Sequence, residues 1–364
     1  MLYLKKKILK KFISITKQFP SGLLNKTYLI IGVITITLFI SCIEENQSIS
    51  EVISNEATAE NNESTSDNDS SSNNDSNTNN DSNTNDDTTN PNTEVSPGLF
   101  NQTLFHDGVN RQYVLYVPSS FDGTTAVPLM LNYHGYGGTA TGQMEWADMR
   151  DLADEQNFIL VYPQGTLLEG DPHWNAALPG GDNKSDADDL GFTAALIDLL
   201  NETYGIDTER VYACGYSNGA FFAYALACYR SDLVAAVGSV SGTMLEGTIA
   251  LCEPAHPTAM INLHGTDDGV VPYNGGFGYE TIDDVMSYWA QANGIEGTPT
   301  MNSAASGGST VEQYVYPSGN NGTSITHYKI IGGGHVWFNI NYNGSNTNEL
   351  IWDFVSQYDI NGLR

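Results

Sequence analysis

The sequence predicts an α/β fold built on one doubly wound, mostly parallel sheet, and three observations carry that reading. Short apolar runs alternate with stretches of helical spacing from residue 112 to the end of the chain. Several of those runs are apolar throughout, as strands covered by helices on both faces are. Finally, Gly215-Tyr216-Ser217-Asn218-Gly219 stands where one apolar run passes into a helical stretch, the position of a tight strand-to-helix turn.

The elements follow in order. Residues 112–117 alternate as Tyr-Val-Leu-Tyr-Val before Pro118, and Val127 to Tyr133 is a second apolar run that ends at His134-Gly135, so both are strands. Between Trp146 and Gln156, Met149, Leu152 and Ala153 have helical spacing, and Phe158 to Tyr162 is a strand stopped by Pro163. Phe192 to Tyr204 is a helix, Arg210 to Gly215 a strand, Ala220 to Tyr229 a helix and Ala235 to Val240 a strand. Met260 to Leu263 adds a core strand, Ile282 to Ala292 a helix, Ile325 to Ile331 the last strand and Leu350 to Tyr358 a closing helix. These elements fill one domain over residues 99–364, with no internal repeat.

The first hundred residues are of another kind. Seven lysines precede an apolar run of 13 residues from Tyr28 to Ile40, followed by Ser41-Cys42. That run is short of the roughly 20 residues a helix needs to cross a bilayer, so it reads as an export signal. Phe39-Ile40-Ser41-Cys42 resembles a bacterial lipobox with Phe39 where leucine is usual, which implies a lipoprotein-type signal over 1–42 and lipidation of Cys42. Residues 43–98 are an Asn/Ser/Asp-rich linker, with thirteen carboxylates, no basic residue and too little apolar surface to fold. A flexible coil of that length reaches on the order of 40 Å, so it serves as a tether. The expected location is the cell envelope or cell surface, with membrane contact only through the lipid, or free secretion.

The chain carries 14 basic and 43 acidic residues, of which 7 and 30 lie from residue 99 onward. A surface this negative repels phosphate backbones and argues against nucleic acid as a partner. With Cys42 assigned to lipid, Cys214, Cys228 and Cys252 remain, and export permits one disulfide. Sequence alone leaves three pairings open; the expected pair is Cys228 with Cys252, leaving Cys214 as a buried thiol in its strand. No metal-ligand spacing is present, and neither a metal nor a cofactor is expected.

The chemistry centres on Ser217. The pattern GxSxG is weak by itself, but here a strand leads in and a helix leads out, the turn that lifts a serine hydroxyl above the sheet of an α/β-hydrolase. A serine needs a neighbouring base, and in this fold the partners follow in the order Ser, acid, His. Of the histidines after Ser217, His327 lies inside a strand and His264 reads as packing, whereas His335 follows Ile330-Ile331 and three glycines, in the loop where a base belongs. His264-Gly265-Thr266-Asp267-Asp268 places two carboxylates beyond a core strand, and spacing does not separate them. The amide of Asn218 is one oxyanion donor; the other is assigned to Tyr136 in His134-Gly135-Tyr136-Gly137-Gly138. Trp174 and Trp337, close in sequence to motif loops, are candidates to stack on a sugar or aromatic acyl group.

Together the motifs resemble the exported polyhydroxybutyrate depolymerase and feruloyl esterase-like group of carbohydrate esterase family one. The resemblance runs from about Asn101 to Phe354. It rests on His134 to Gly138, Tyr162-Pro163-Gln164-Gly165 with Trp174-Asn175, Asp188 to Phe192, Gly215 to Gly219, His264 to Tyr273, and Gly333 to Trp337. It implies Asp268, not Asp267, as the acid, and a disulfide between Cys228 and Cys252. Val336-Trp337-Phe338 departs from the Trp-Pro common in that family. The implied function is a monomeric serine carboxylic-ester hydrolase acting through an acyl-enzyme on feruloyl or acetyl esters of plant or algal polysaccharides. A polyester depolymerase is the alternative, and a non-catalytic carbohydrate-binding lipoprotein the reading from another class.

Overall fold

A computed structural model of the chain describes residues 95–177 and 185–364. The signal, the lipidated Cys42 and nearly all of the linker expected from the sequence lie outside the described residues. The expected linker boundary at residue 98 falls on the first residue of β1 (Gly98–His106), which pairs antiparallel with β2 (Val109–Val117).

The sheet core is built from β3 (Leu129–Tyr133), β4 (Ile159–Pro163), β7 (Val211–Tyr216), β8 (Ala236–Val240), β9 (Ala259–Gly265) and β12 (Ile325–Ile330). Every residue of β3, β4, β8 and β9 is buried, which is why these strands read as continuous apolar runs and not as alternating ones. β5 (Thr166–Leu168) and β6 (Asp171–His173) form a separate small hairpin, and β10 (Thr300–Ser306) and β11 (Ser309–Val315) extend the far edge. Among the described residues the main sheet has the order β1-β2-β4-β3-β7-β8-β9-β12-β11-β10. From β4 through β12 neighbouring strands are parallel; the pairs at both edges are antiparallel.

Among the described residues six α-helices cover the two faces. In chain order they are α1 (Ala140–Trp146), α2 (Arg150–Gln156), α3 (Asp189–Tyr204), α4 (Asn218–Tyr229), α5 (Ile282–Ala292) and α6 (Thr347–Val355). Alternate strand side chains point to opposite faces. Leu129, Leu131 and Tyr133 therefore join a core with Phe192 and Leu196 of α3, Phe222 of α4 and Trp289 of α5. Met130, Leu160 and Tyr212 join a second core with Met144 of α1, Ala153 of α2 and Trp352 of α6. The sheet is thus doubly wound, as the alternation of elements predicts. α4 is buried from Gly219 to Cys228, which fixes the serine turn at its start against the sheet.

Candidate active site

Ser217 sits between the end of β7 and α4 with φ 51° and ψ −120°, outside the comfortable region for a residue with a side chain. The strain is held by two glycines. A Cβ on Gly215 would fall 2.5 Å from the carbonyl group of Gly219, and one on Gly219 would run into the Tyr133 carbonyl oxygen. Only glycine lets the turn close this tightly.

His335 and Asp268 reach Ser217 from the ends of β12 and β9. The Ser217 hydroxyl lies 2.9 Å from His335 Nε2, and His335 Nδ1 lies 2.8 Å from Asp268 Oδ2. That arrangement suits an imidazole that donates through Nδ1–H and accepts the serine proton at Nε2. The other Asp268 oxygen accepts the amides of Val270 and Val271 at 2.9 and 2.8 Å, a local turn that aims the carboxylate inward. Burial pushes Asp268 up, yet the hydrogen bonds from His335, Val271 and Val270 hold it below the usual carboxylate range. Asp267, by contrast, is exposed and spends its amide on the Gly333 carbonyl. The two loops meet so closely that a Cβ on Gly265 would strike the Gly333 backbone.

Around this trio the loops are pinned by polar contacts. The Tyr216 hydroxyl donates to the His335 carbonyl at 2.9 Å, and the Ser241 hydroxyl to that of Val336 at 2.8 Å. His264, fully buried, sits with Nε2 2.8 Å from the Val271 carbonyl and 3.4 Å from Asp268, and burial keeps it neutral. His134 bridges the Gly135 carbonyl through Nδ1 at 2.7 Å and the Gly165 amide through Nε2 at 2.9 Å. Burial lowers its pKa to about 4, so it shapes the glycine loop as a neutral ring.

That loop carries Tyr136 beside Ser217. The Gly137 amide is spent on the Pro172 carbonyl and the Gly138 amide on that of Gly135, whereas the amides of Tyr136 and Asn218 have no partner among the described residues. Two backbone amides near Ser217 are therefore unengaged among the described residues, and one opens α4, whose positive end favours negative charge. The Asn218 side chain accepts the Trp174 amide at 2.7 Å and donates to the Trp174 carbonyl at 3.0 Å, clasping the wall segment to the serine turn. Behind it, Arg111 and Asp189 form a buried ion pair at 2.7 Å, and Asp189 also accepts the Asn175 amide.

A cleft of about 500 Å³ opens beside Ser217, lined in part by Tyr136, Asn218, Phe221, Val270, Phe277 and Tyr279. Two sequence expectations require correction here. Trp174 borders the cleft but its indole is 2% exposed, stacked on Phe222 and bonded through Nε1 to the His134 carbonyl, so it packs the core and offers no stacking face. Trp337 does not line the cleft; its Nε1 donates to Asn348 at 3.1 Å. The most exposed aromatic side chain lining the cleft is instead Phe277, 85% exposed with φ 58° between Gly276 and Gly278. An apolar residue set among glycines in Asn274-Gly275-Gly276-Phe277-Gly278 was the available signal, since such a loop buries nothing. Cys228 and Cys252 are joined by a disulfide and Cys214 is a buried free thiol. Among the described residues no cluster of His, Cys, Asp or Glu could hold a metal ion.

Fold and site together define an α/β-hydrolase with a Ser–His–Asp constellation at the carboxyl ends of its parallel strands. Residues 111–253 match the family model described as Esterase PHB depolymerase. The chain is 28% identical over 261 residues to feruloyl esterase B of Piromyces equi, a match covering 69% of this chain and 46% of that protein. It is 27% identical over 256 residues to the bifunctional acetylxylan esterase/xylanase XynS20E of Neocallimastix patriciarum, covering 70% and 34%. With a probable feruloyl esterase C of Aspergillus clavatus it shares 30% identity over 187 residues, covering 50% and 62%. The chain thus spans less than two thirds of the length of each of these relatives. Among solved structures, an acetyl xylan esterase from Aspergillus awamori superposes with a TM-score of 0.50 at 17% identity, covering 66% of this chain and 94% of that one, a likeness of fold.

Proposed function

We propose that this protein is an exported serine carboxylic-ester hydrolase that cleaves feruloyl or acetyl esters of plant or algal polysaccharides. The observation that carries the reading is the hydrogen-bonded chain from Ser217 through His335 to Asp268, beside two unengaged backbone amides. In the reaction, His335 takes the Ser217 proton as the oxygen attacks the ester carbonyl, and Asp268 stabilises the imidazolium that forms. The amides of Tyr136 and Asn218 receive the oxyanion. His335 then returns the proton to the departing alcohol, and water cleaves the acyl-enzyme by the same route. No step calls on a metal or cofactor.

The acyl group enters the cleft that contains Ser217, whose volume of about 500 Å³ exceeds what an acetyl group needs and favours a larger acyl group. Residues 1–42 serve as the lipoprotein-type signal and 43–98 as the tether, so that the domain from 99 to 364 works as a monomer at the cell envelope or surface, or secreted. A second reading, polyester cleavage, is favoured by the description of the matching family.

The test is hydrolysis by the full chain and its Ser217→Ala variant of methyl ferulate, acetylated xylan, 4-nitrophenyl acetate and hydroxybutyrate oligomers. The variant is expected to lose at least about a thousandfold in kcat on every substrate the parent cleaves. A clear preference for the hydroxybutyrate oligomers selects the polyester reading. A parent that binds polysaccharide yet cleaves no ester sinks both, leaving a carbohydrate-binding protein.

A further inference from the structure

Trp146 ends α1 with its indole 62% exposed. A large apolar side chain left in water contributes little to folding. Its one ring contact among the described residues is edge-on to Tyr216, at 5.5 Å and 76°. The Tyr216 ring in turn lies 5.0 Å from the His335 ring, and its hydroxyl donates to the His335 carbonyl. None of these three residues lines the cleft beside Ser217. Trp146 is thus linked to His335 through the Tyr216 ring and lies outside that cleft.

The direction matters because the alcohol oxygen receives its proton from His335 Nε2. Whatever is bonded to that oxygen departs across the His335 flank, while the acyl group stays in the cleft. A sugar ring presents an apolar face of C–H groups and a rim of hydroxyls, the pattern that an aromatic face with wet, polar surroundings accommodates. Such surroundings are present: Asp148 and Arg150 form an exposed ion pair at 2.6 Å, and Glu145 is exposed next to Trp146. The segment is also held in place. Asn348 donates to the Asp148 carbonyl at 2.7 Å and accepts from Trp337 Nε1 at 3.1 Å, joining it to the His335 loop.

We propose that Trp146 is the platform of a second subsite, which takes the neutral sugar that bears the ester on the alcohol side of Ser217. Neutrality follows from charge: the chain has net charge −29, and the exposed Glu145 precedes Trp146 with no cation paired to it among the described residues, so a uronate is repelled. The subsite rests on the esterase reading above, and its test keeps the two apart.

The experiment compares full-length parent, Trp146→Ala and Trp146→Phe on two esters with the same acyl group, methyl ferulate and a feruloylated arabinoxylotriose. Trp146→Ala should lower kcat/KM for the oligosaccharide ester at least tenfold, mainly through KM, and leave methyl ferulate within twofold; Trp146→Phe should recover part of the loss. Equal losses on both esters, or no loss on either, overturn the subsite. A readout independent of turnover is calorimetric binding of unesterified arabinoxylotriose to Ser217→Ala. Binding that disappears in Ser217→Ala/Trp146→Ala supports the platform even if the parent cleaves neither ester, an outcome that would sink only the esterase reading. Persistence of binding in the double variant, or equally good binding of trigalacturonic acid, overturns it.

Discussion

Asp267 and Asp268 are neighbours with opposite surroundings. One lies in water, and the other accepts two backbone amides and the His335 ring nitrogen. Asp268→Asn is therefore expected to lower kcat on the best ester by about 10⁴-fold, because an amide there favours the wrong imidazole tautomer. Asp267→Asn should stay within about threefold, since an exposed side chain off the reaction path contributes little. Steady-state kinetics on both variants checks the assignment, and a reversal would exchange the roles. The spacing of residues 264 to 268 could not make this distinction, which depends on how the chain turns at Gly269 to Val271. Ser217 and His335 were easier to read, because glycines and strand ends mark both. The indoles were misread for a physical reason: nearness of Trp174 and Trp337 in sequence to motif loops says nothing about which way a ring faces.

At the level of elements, legibility followed burial. Strands β3, β4, β7, β8, β9 and β12 are mostly or wholly buried; the first five appear in the sequence as apolar runs, and β12 as an alternating one. β1 and β10 were not predicted, and their burial patterns show why: most of their residues face solvent, so no apolar period distinguishes them from loops. α1 is seven residues with Gly142 inside it, held by Thr139, whose side chain accepts the Gly142 amide. That is too short for periodicity to register. One tie between elements carries a prediction. The Cys228–Cys252 bridge spans 24 positions and fastens the end of α4 to the segment that brings Leu245 to the cleft, and Cys252 also accepts the Tyr288 hydroxyl through its carbonyl. Replacing both cysteines by serine should cost about 3 kcal/mol, seen as a lower urea midpoint. Reductant should lower the parent to the same midpoint and leave the double variant unmoved; a parent indifferent to reductant would contradict the role.

For the whole molecule, acid is the revealing stress. Burial lowers His134 to about 4 and His327 to about 3, from an ordinary value of 6.5. At these two rings the unfolded chain binds more protons than the folded one between pH 6.5 and 4, so their contribution to stability falls as pH drops through that range, against the smaller opposing effect of Asp189, which burial raises. The depressed Asp268 adds a loss only below its ordinary value of 3.8, outside that window. The high negative charge works in the opposite sense, since acid relieves self-repulsion. Urea midpoints should therefore be compared in about 1 M salt, where that long-range repulsion is screened. A midpoint that declines steadily from pH 6.5 to 4 is the expected result, and a flat or rising one would show that neither histidine is buried as a neutral ring.

Ser217, His335 and Asp268 hang from β7, β12 and β9, which lie in one parallel stretch of the sheet with β8 between β7 and β9. The serine is 118 positions from the histidine it touches. Contacts of such sequence separation are slow to form. Recovery of ester cleavage during refolding is thus a clock for completion of the sheet, insensitive to early helix formation. It marks the moment at which the last strand takes its place beside β9.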